Sequence, residues 1–394
     1  MVKTQQYIQV HFFSELALKG GNRQMFLQQA RSNLNKAIRD INEGPPIHRS
    51  MTTLIPLHDE SLWPVLNERL KNVIGVERFE RAWTTNPDLD SVKSLISYLV
   101  EGSNANSFRI STSRSDKSLP LNSPQINQEL GTYVHELTGI GIDLNTPELN
   151  IRVRMDRREA VISLEEIRGA SGMPVGSSGK VAVMLSGGID SPVAAFKMML
   201  RGCKIDFIHF HSFPLVEGTS REKAKDIVNL LTQFQLNSRL ILVPFAEIQK
   251  QLIVTVPPAY RVILYRRLML RIAEHLAIKE KAGALVTGES LGQVSSQTLE
   301  NLSTIGQVMK HLPIFRPLIG SDKQAIIREA RALGSYEISI IPDQDCCSLF
   351  VPKHPRTRSH PREIELIESK LDLNSMITQA IENAETYDSR WPVK

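Results

Sequence analysis

Cysteine is scarce in this chain, with Cys203, Cys346 and Cys347 the only three thiols in 394 residues. So few cannot form a disulfide framework, and they suit a reducing compartment. No Cys-x-x-Cys occurs, and no histidines stand at zinc spacing beside the cysteines, so no resident metal site is expected. No apolar run is long enough to span a bilayer, and Met1-Val2-Lys3-Thr4-Gln5-Gln6 lacks a signal-peptide core. A cytoplasmic protein without a membrane partner is expected. Aromatic residues make up only 6% of the chain, too few for a stacking stripe. Any RNA partner would therefore be recognised by its folded shape. The lysine loop of the common nucleotide-binding fold is also missing. Its nearest imitation, Ser178-Gly179-Lys180, has Pro174 at the first glycine position and Val181 after the lysine.

What is present is ordinary in bulk: 41% hydrophobic and 23% charged residues, as in soluble globular domains. The length allows two or three of them. A net charge of +5 leans towards an anionic partner, although many proteins this basic bind none. Along the chain, Tyr7-Ile8-Gln9-Val10-His11-Phe12 alternates like a strand, and a helical pattern follows from Gln24 to about Ile41. Four segments are expected: an N-terminal α+β domain at 1–60, a second small α+β domain at 61–166, a Gly/Ser-rich linker at 167–179, and a larger domain at 180–394. The larger domain alternates strands (181–185, 205–210, 239–244, 283–287) with helices (191–201, 219–234, 260–279). That order predicts an α/β fold with a doubly wound parallel sheet.

The most informative stretch is Ser186-Gly187-Gly188-Ile189-Asp190-Ser191, between an apolar strand and a helix. Two glycines let backbone N–H groups approach an anion, and the helix start adds the positive end of its dipole. Ser186 and Ser191 supply hydroxyls, and Asp190 can act through magnesium. The hexapeptide resembles the PP-loop of ATP pyrophosphatases, which cleave ATP between the α and β phosphates. An ordinary Gly-Gly turn is the bland alternative. Ligands of open α/β sheets bind at the carboxyl ends of the strands. Met184, Leu185, His209, Phe210, Gly288, Glu289, Gln293 and Gln297 are expected at that edge, with Arg266 on the preceding helix.

Longer stretches are similar to the tRNA 4-thiouridine synthetases (tRNA uracil 4-sulfurtransferases), a family also linked to thiamine thiazole synthesis. They include Glu15 to Arg23, Asp116-Lys117-Ser118, Gly172 to Gly176, Leu185 to Pro192, and His209 to Pro214. Others are Thr287 to Gln293, Ser296 to Leu299, Arg316 to Gly320, and Asp345-Cys346-Cys347. The resemblance implies a ferredoxin-like domain, a THUMP domain for RNA and a PP-loop catalytic domain. It implies ATP contacts at Met184, Leu185, His209, Phe210, Arg266, Gly288 and Gln297, beside the loop residues Ser186, Gly187, Gly188, Asp190 and Ser191. It also implies catalytic roles for Asp190 and Lys323 and a sulfur-carrying Cys346. Position 8 of tRNA is the implied uridine, a cysteine desulfurase the implied persulfide donor, and a thiazole sulfur-carrier protein a further implied partner. A homodimer is expected on the same ground. Longer members carry a rhodanese-like domain, which is not expected here.

Adjacent cysteines are poorly placed for a disulfide, because neighbouring Cα atoms lie about 3.8 Å apart. A persulfide on Cys346 is the better reading, with Cys347 either resolving or structural. Cys203 precedes a strand, at the end away from the expected site, and reads as a buried hydrophobe. Candidate phosphate contacts are Lys19, Arg23, Arg109, Arg114, Lys117, Arg152, Arg154 and the tail Lys353-His354-Pro355-Arg356-Thr357-Arg358. Two rival readings stand beside the sulfurtransferase: an ammonia-dependent PP-loop amide synthetase, and a non-catalytic RNA-binding protein with a degenerate nucleotide site.

Overall fold

The computed structural model describes residues 5–115, 120–216, 218–343, 346 and 355–392. The chain divides into two compact units, Met1–Ser171 and Gly172–Lys394.

The first unit begins with β1 (Gln5–Phe12), α1 (Arg23–Ile38), β2 (Ile47–Arg49), β3 (Thr52–Pro56), α2 (Trp63–Asn72) and β4 (Val76–Thr85). It continues with α3 (Leu89–Val100), β5 (Ser107–Arg114), α4 (Ser123–Thr138), β6 (Gly141–Ile142), β7 (Leu149–Met155), β8 (Ala160–Ser163) and β9 (Ile167–Arg168). All nine strands form one sheet, in the order β2-β3-β1-β4-β8-β7-β5-β6, with β9 also on β4. Strand β4 is the seam. It pairs with β1 over most of its length and with β8 through Trp83, Thr84 and Thr85. Alternation along β5 and β7 sends Phe108, Ile110, Ile151 and Val153 into a core with Val92 and Ile96 of α3 and Leu130 and Val134 of α4. The same alternation puts Arg109, Arg152 and Arg154 on the opposite face. Asn122 opens α4 with a full capping box against Gln125, and Gly139 closes it at positive φ.

The second unit runs β10 (Lys180–Met184), α5 (Asp190–Leu200), β11 (Lys204–His211), α6 (Thr219–Gln235), β12 (Asn237–Pro244), α7 (Ala246–Thr255), α8 (Arg261–Lys279) and β13 (Leu285–Val286). Then follow α9 (Leu299–Gly306), β14 (Ile314–Phe315), α10 (Lys323–Leu333), α11 (Tyr336–Ser339), α12 (Pro361–Glu368), α13 (Leu373–Glu382) and β15 (Glu385–Arg390). The sheet order is β14-β13-β10-β11-β12-β15, parallel except for β15, which lies antiparallel on β12. The expected doubly wound α/β sheet is therefore present, with an antiparallel edge strand that the sequence pattern did not reveal. On one face Ala182, Ile208, Phe210 and Val243 of the strands meet Leu264, Tyr265, Leu268 and Ile272 of α8. Cys203 is buried just before β11, and burial pushes its thiol pKa up, as befits a packing residue.

A buried ion triad ties α12 to α8. Glu368 accepts bidentate bonds from Arg267 (2.8 and 2.7 Å) and Arg271 (2.7 and 2.8 Å). Burial alone would raise the Glu368 pKa, but the two arginines override it and lower it to about 2. A depressed carboxylate contributes stability above its unfolded pKa, and that contribution is lost as pH falls from the ordinary glutamate range towards 2. Glu368→Gln is expected to cost about 3–5 kcal/mol at pH 7, because two cations lose their counter-charge. It should also flatten the decline of melting temperature below about pH 4. Thermal melts across pH check both effects; a variant that melts like the parent at every pH would refute them.

Candidate functional site

The strand order sets the position of the site. From β10 the chain moves outward to β11 and β12, then returns to place β13 on the other side of β10. Crossovers therefore diverge at β10, and a cleft opens at the carboxyl ends of the strands there. The glycine loop lies at that point, between β10 and α5. Its serines brace it: Ser186 N–H donates to Ser191 Oγ (2.9 Å), and Gly188 N–H donates to Ser186 Oγ (3.3 Å). His209, fully buried on β11, donates from Nδ1 to the Leu185 carbonyl at 2.9 Å and so holds the start of the loop. Gly288, just past β13, approaches the loop so closely that a Cβ there would stand 2.7 Å from Ser191 N and 2.8 Å from the Asp190 carbonyl carbon. Backbone on both sides cannot yield, so Gly288→Ala is expected to distort the loop and to weaken its hold on a phosphate-bearing ligand at least about tenfold. Equilibrium nucleotide binding checks this; unchanged affinity would show that the close approach is relaxed.

The cleft is a cavity of about 510 Å³, within the range of small-ligand sites. Met184, Leu185, Ser186, Asp190 and Ser191 form its floor. One face of α8 forms a wall through Val262, Arg266, Met269 and Leu270, at helical spacing, with Phe210 and Ile305 completing an apolar end. Gly288, Gln293 and Gln297 line the other side, and Cys346 also borders the cavity. The structure thus gathers most of the sequence-predicted site residues. His209 stands behind the wall, in the role just given. Gly187 and Gly188 form the loop turn itself.

The polar groups are tightly partnered. Glu289 is buried between two arginines: Arg266 bonds to Oε1, and Arg316 Nε donates to Oε2 at 2.6 Å. Burial would raise its pKa, but the charges of Arg266 and Arg316 hold it below the usual glutamate value. Arg266 also donates to Ser296 Oγ at 3.0 Å, so its guanidinium serves a network inside the protein as well as the cavity. Asp190 accepts from Gln293 Nε2 at 3.0 Å through Oδ2. Its Oδ1 has no hydrogen-bond partner among the described residues, and Lys323 Nζ stands 3.7 Å from it. Lys323 is the first residue of α10, a helix capped by Asp322. Residues 133 positions apart are thereby brought together. Cys346 is held by its backbone: Gln249 Nε2 donates to its carbonyl at 2.8 Å, and Gln249 Oε1 accepts from Ser212 Oγ at 2.5 Å.

Sequence reasoning left Glu289 without a role and did not single out Gln249, Val262, Met269 or Leu270. The Val262/Arg266/Met269/Leu270 spacing was a usable signal for a helix face on the site. For Gln249 there was none, since a lone glutamine in a helix reads as solvated.

In the first unit the candidate RNA contacts do not stand as a bare cationic patch. Lys19 pairs with Glu15 (2.9 Å), Arg23 donates to Ser50 Oγ (2.8 Å), and Arg109 and Arg114 bond to the carbonyls of Leu144 and Leu121. Arg152 lies between Glu80 (3.6 Å) and Glu166 (3.5 Å). Arg154 shares that sheet face, and burial pulls its pKa below the usual arginine value. Lys117, Cys347 and Lys353 lie outside the described residues. No helix among them is long and apolar enough to cross a membrane.

Comparison with known proteins adds independent weight. The family model described as "Thiamine biosynthesis protein (ThiI)" matches residues 176–373, that of the ThiI ferredoxin-like domain 7–79, and that of the THUMP domain 88–165. A "Probable tRNA sulfurtransferase" of Thermus thermophilus is 46% identical over 98% of this chain and 94% of its own. One of Brevibacillus brevis is 38% identical over 95% and 94%. A crystal structure of a 4-thiouridine synthetase–RNA complex with bound ATP superposes with a TM-score of 0.89 at 34% identity, covering 98% of this chain and all of that one. Identity at this level, sustained from end to end and matched by the fold, means that this chain belongs to the tRNA sulfurtransferase (ThiI) family.

Proposed function

We propose that this protein is an ATP-dependent sulfurtransferase that converts a uridine of tRNA, at position 8, to 4-thiouridine. The observation that carries the reading is the meeting of an acid and a thiol on one nucleotide-sized cavity, Asp190 and Cys346, with the cation of Lys323 3.7 Å from the acid. The carbonyl oxygen of uracil is a poor leaving group. Its attack on the α-phosphate of ATP expels pyrophosphate and leaves AMP on O4; a sulfur nucleophile at C4 then expels AMP. The apolar end around Phe210, Val262 and Leu270 suits a purine, and the serine-braced loop suits phosphates. Lys323 would offset charge developing between Asp190 and the phosphates. Asp190 Oδ1, without a hydrogen-bond partner among the described residues, would hold a magnesium ion, which favours one or two carboxylates beside phosphate oxygens. When bound, that ion would neutralise charge on the departing pyrophosphate.

Cys346 is assigned the sulfur as a persulfide, loaded by a cysteine desulfurase. Its outer sulfur attacks C4 as AMP leaves. A second thiol, from Cys347 or an external thiol reductant, then attacks the Cys346 sulfur, so that the S–S bond breaks, 4-thiouridine is freed and a disulfide on Cys346 is left to be reduced. Delivery of that sulfur to a thiazole sulfur carrier, and assembly as a homodimer, belong to the same proposal. Lys19, Arg23, Arg109, Arg114, Lys117, Arg152, Arg154 and Lys353 remain the proposed phosphate contacts to tRNA.

The test combines purified protein, unmodified tRNA, Mg-ATP and sulfide, followed by nucleoside mass spectrometry. ATP-dependent 4-thiouridine is expected. Its absence, with tRNA and ATP both bound, would return the amide-synthetase and binding-only readings to the front.

A further inference from the structure

The loop lacks the lysine that other phosphate loops carry in their own sequence, yet a buried lysine reaches it from elsewhere. Lys223, on α6, is 5% exposed. Its Nζ donates to the Ile341 carbonyl at 2.7 Å and stands 3.3 Å from Asp343 Oδ2. The side chain of Asp343 is only 7% exposed, and its Oδ2 has no hydrogen-bond partner among the described residues. This pair abuts the glycine loop. A Cβ on Gly187 would stand 2.7 Å from Asp343 Oδ2 and 3.5 Å from Lys223 Nζ, and Ser339 Oγ donates to the Gly188 carbonyl at 3.4 Å. Residues 339–343, which lead towards Cys346, are thus laid across the loop.

Two features make this more than a structural ion pair. A buried ammonium with one good hydrogen bond, and a buried carboxylate oxygen with none, are incompletely satisfied and favour a further partner. The carboxylate also faces the backbone that would hold an anion, so a multiply charged phosphate there repels Asp343 and attracts Lys223.

We infer that Lys223 contacts the pyrophosphate portion of ATP, and that Asp343 is the counter-ion it exchanges for that anion. The inference rests on the proposed reading of the loop as an ATP cradle. It gives the Asp343 contact a second purpose. With pyrophosphate held, Lys223 turns to the anion and loosens the segment ahead of Cys346. Once pyrophosphate leaves, the Lys223–Asp343 pair re-forms and reseats the segment, which places sulfur delivery after adenylation.

The test measures binding of magnesium pyrophosphate and of AMP to the full chain by calorimetry. Lys223→Met is expected to weaken pyrophosphate binding about tenfold or more while AMP binding stays within about twofold, because AMP leaves the outer phosphate positions empty. Asp343→Asn is expected to act in the opposite direction and tighten pyrophosphate binding, since the competing anion is gone. Lys223→Arg keeps the charge and should retain most of the affinity, which guards against a loss caused by misfolding. Equal weakening of pyrophosphate and AMP by Lys223→Met, unchanged pyrophosphate binding, or weakening by Asp343→Asn would overturn the inference. A parent protein that binds AMP but not pyrophosphate would overturn it likewise, and one that binds neither would overturn the ATP reading with it.

Discussion

Cys346→Ala is expected to abolish persulfide-fed thiolation, by on the order of 10³-fold or more, while a single round of tRNA-dependent pyrophosphate release continues. Cys346 borders the cavity, is almost fully buried, and is fixed through its carbonyl by Gln249. Replacing the thiol by a methyl group keeps the backbone contact and most of the packing, so the melting temperature should change little. Free sulfide supplies the nucleophile without the carrier and should restore 4-thiouridine in this variant. That rescue separates loss of sulfur delivery from loss of adenylation, which sulfide cannot repair. Nucleoside mass spectrometry with each sulfur source reads the result. Intact persulfide-fed thiolation in Cys346→Ala, with loss in Cys347→Ala, would transfer the role to the neighbouring residue.

Asp190→Ala should fail with both sulfur sources. Its carboxylate stands at the first turn of α5, fixed on one side by Gln293 at 3.0 Å and faced on the other by Lys323. Removing it eliminates the proposed magnesium ligand and leaves Lys323 without its counter-charge. A fall of about 10³-fold in tRNA-dependent pyrophosphate release is expected. Asp190→Asn preserves shape and the contact to Gln293 but not the charge, so it should be nearly as inactive. Activity near the parent level in the Asn variant would show that the role is positional and not electrostatic. Because Asp190 is part-exposed, neither substitution should prevent folding.

Much of this was legible in the residues. The strand, glycine turn and helix of the loop are local, set by apolar runs, glycine freedom and a helix start within a dozen positions. The alternation of strands and helices after Lys180 likewise predicts a doubly wound sheet, and the elements fall within a few residues of expectation. In the first unit, β4 was harder to read. In β4, Val76, Phe79, Ala82 and Trp83 recur at three- and four-residue intervals, as on a helix, yet the segment is a strand. It lies between β1 and β8, and its last four residues, Ala82 to Thr85, are all buried. Two-sided burial erases the alternation that marks a half-exposed strand.

The sequence by itself determined the loop, the class of the larger fold and the set of residues at its strand ends, because each follows from short-range pattern and chain order. Tertiary structure alone decided which distant polar groups meet. It set Lys323 against Asp190, Glu289 between Arg266 and Arg316, Gln249 on Cys346, and Lys223 with Asp343 against Gly187. In sequence Lys223 is one of two lysines on an amphipathic helix, indistinguishable from its solvated neighbour Lys225. Burial changes that, since a charge removed from water must find a partner, and the partner is chosen by three-dimensional packing and not by position along the chain.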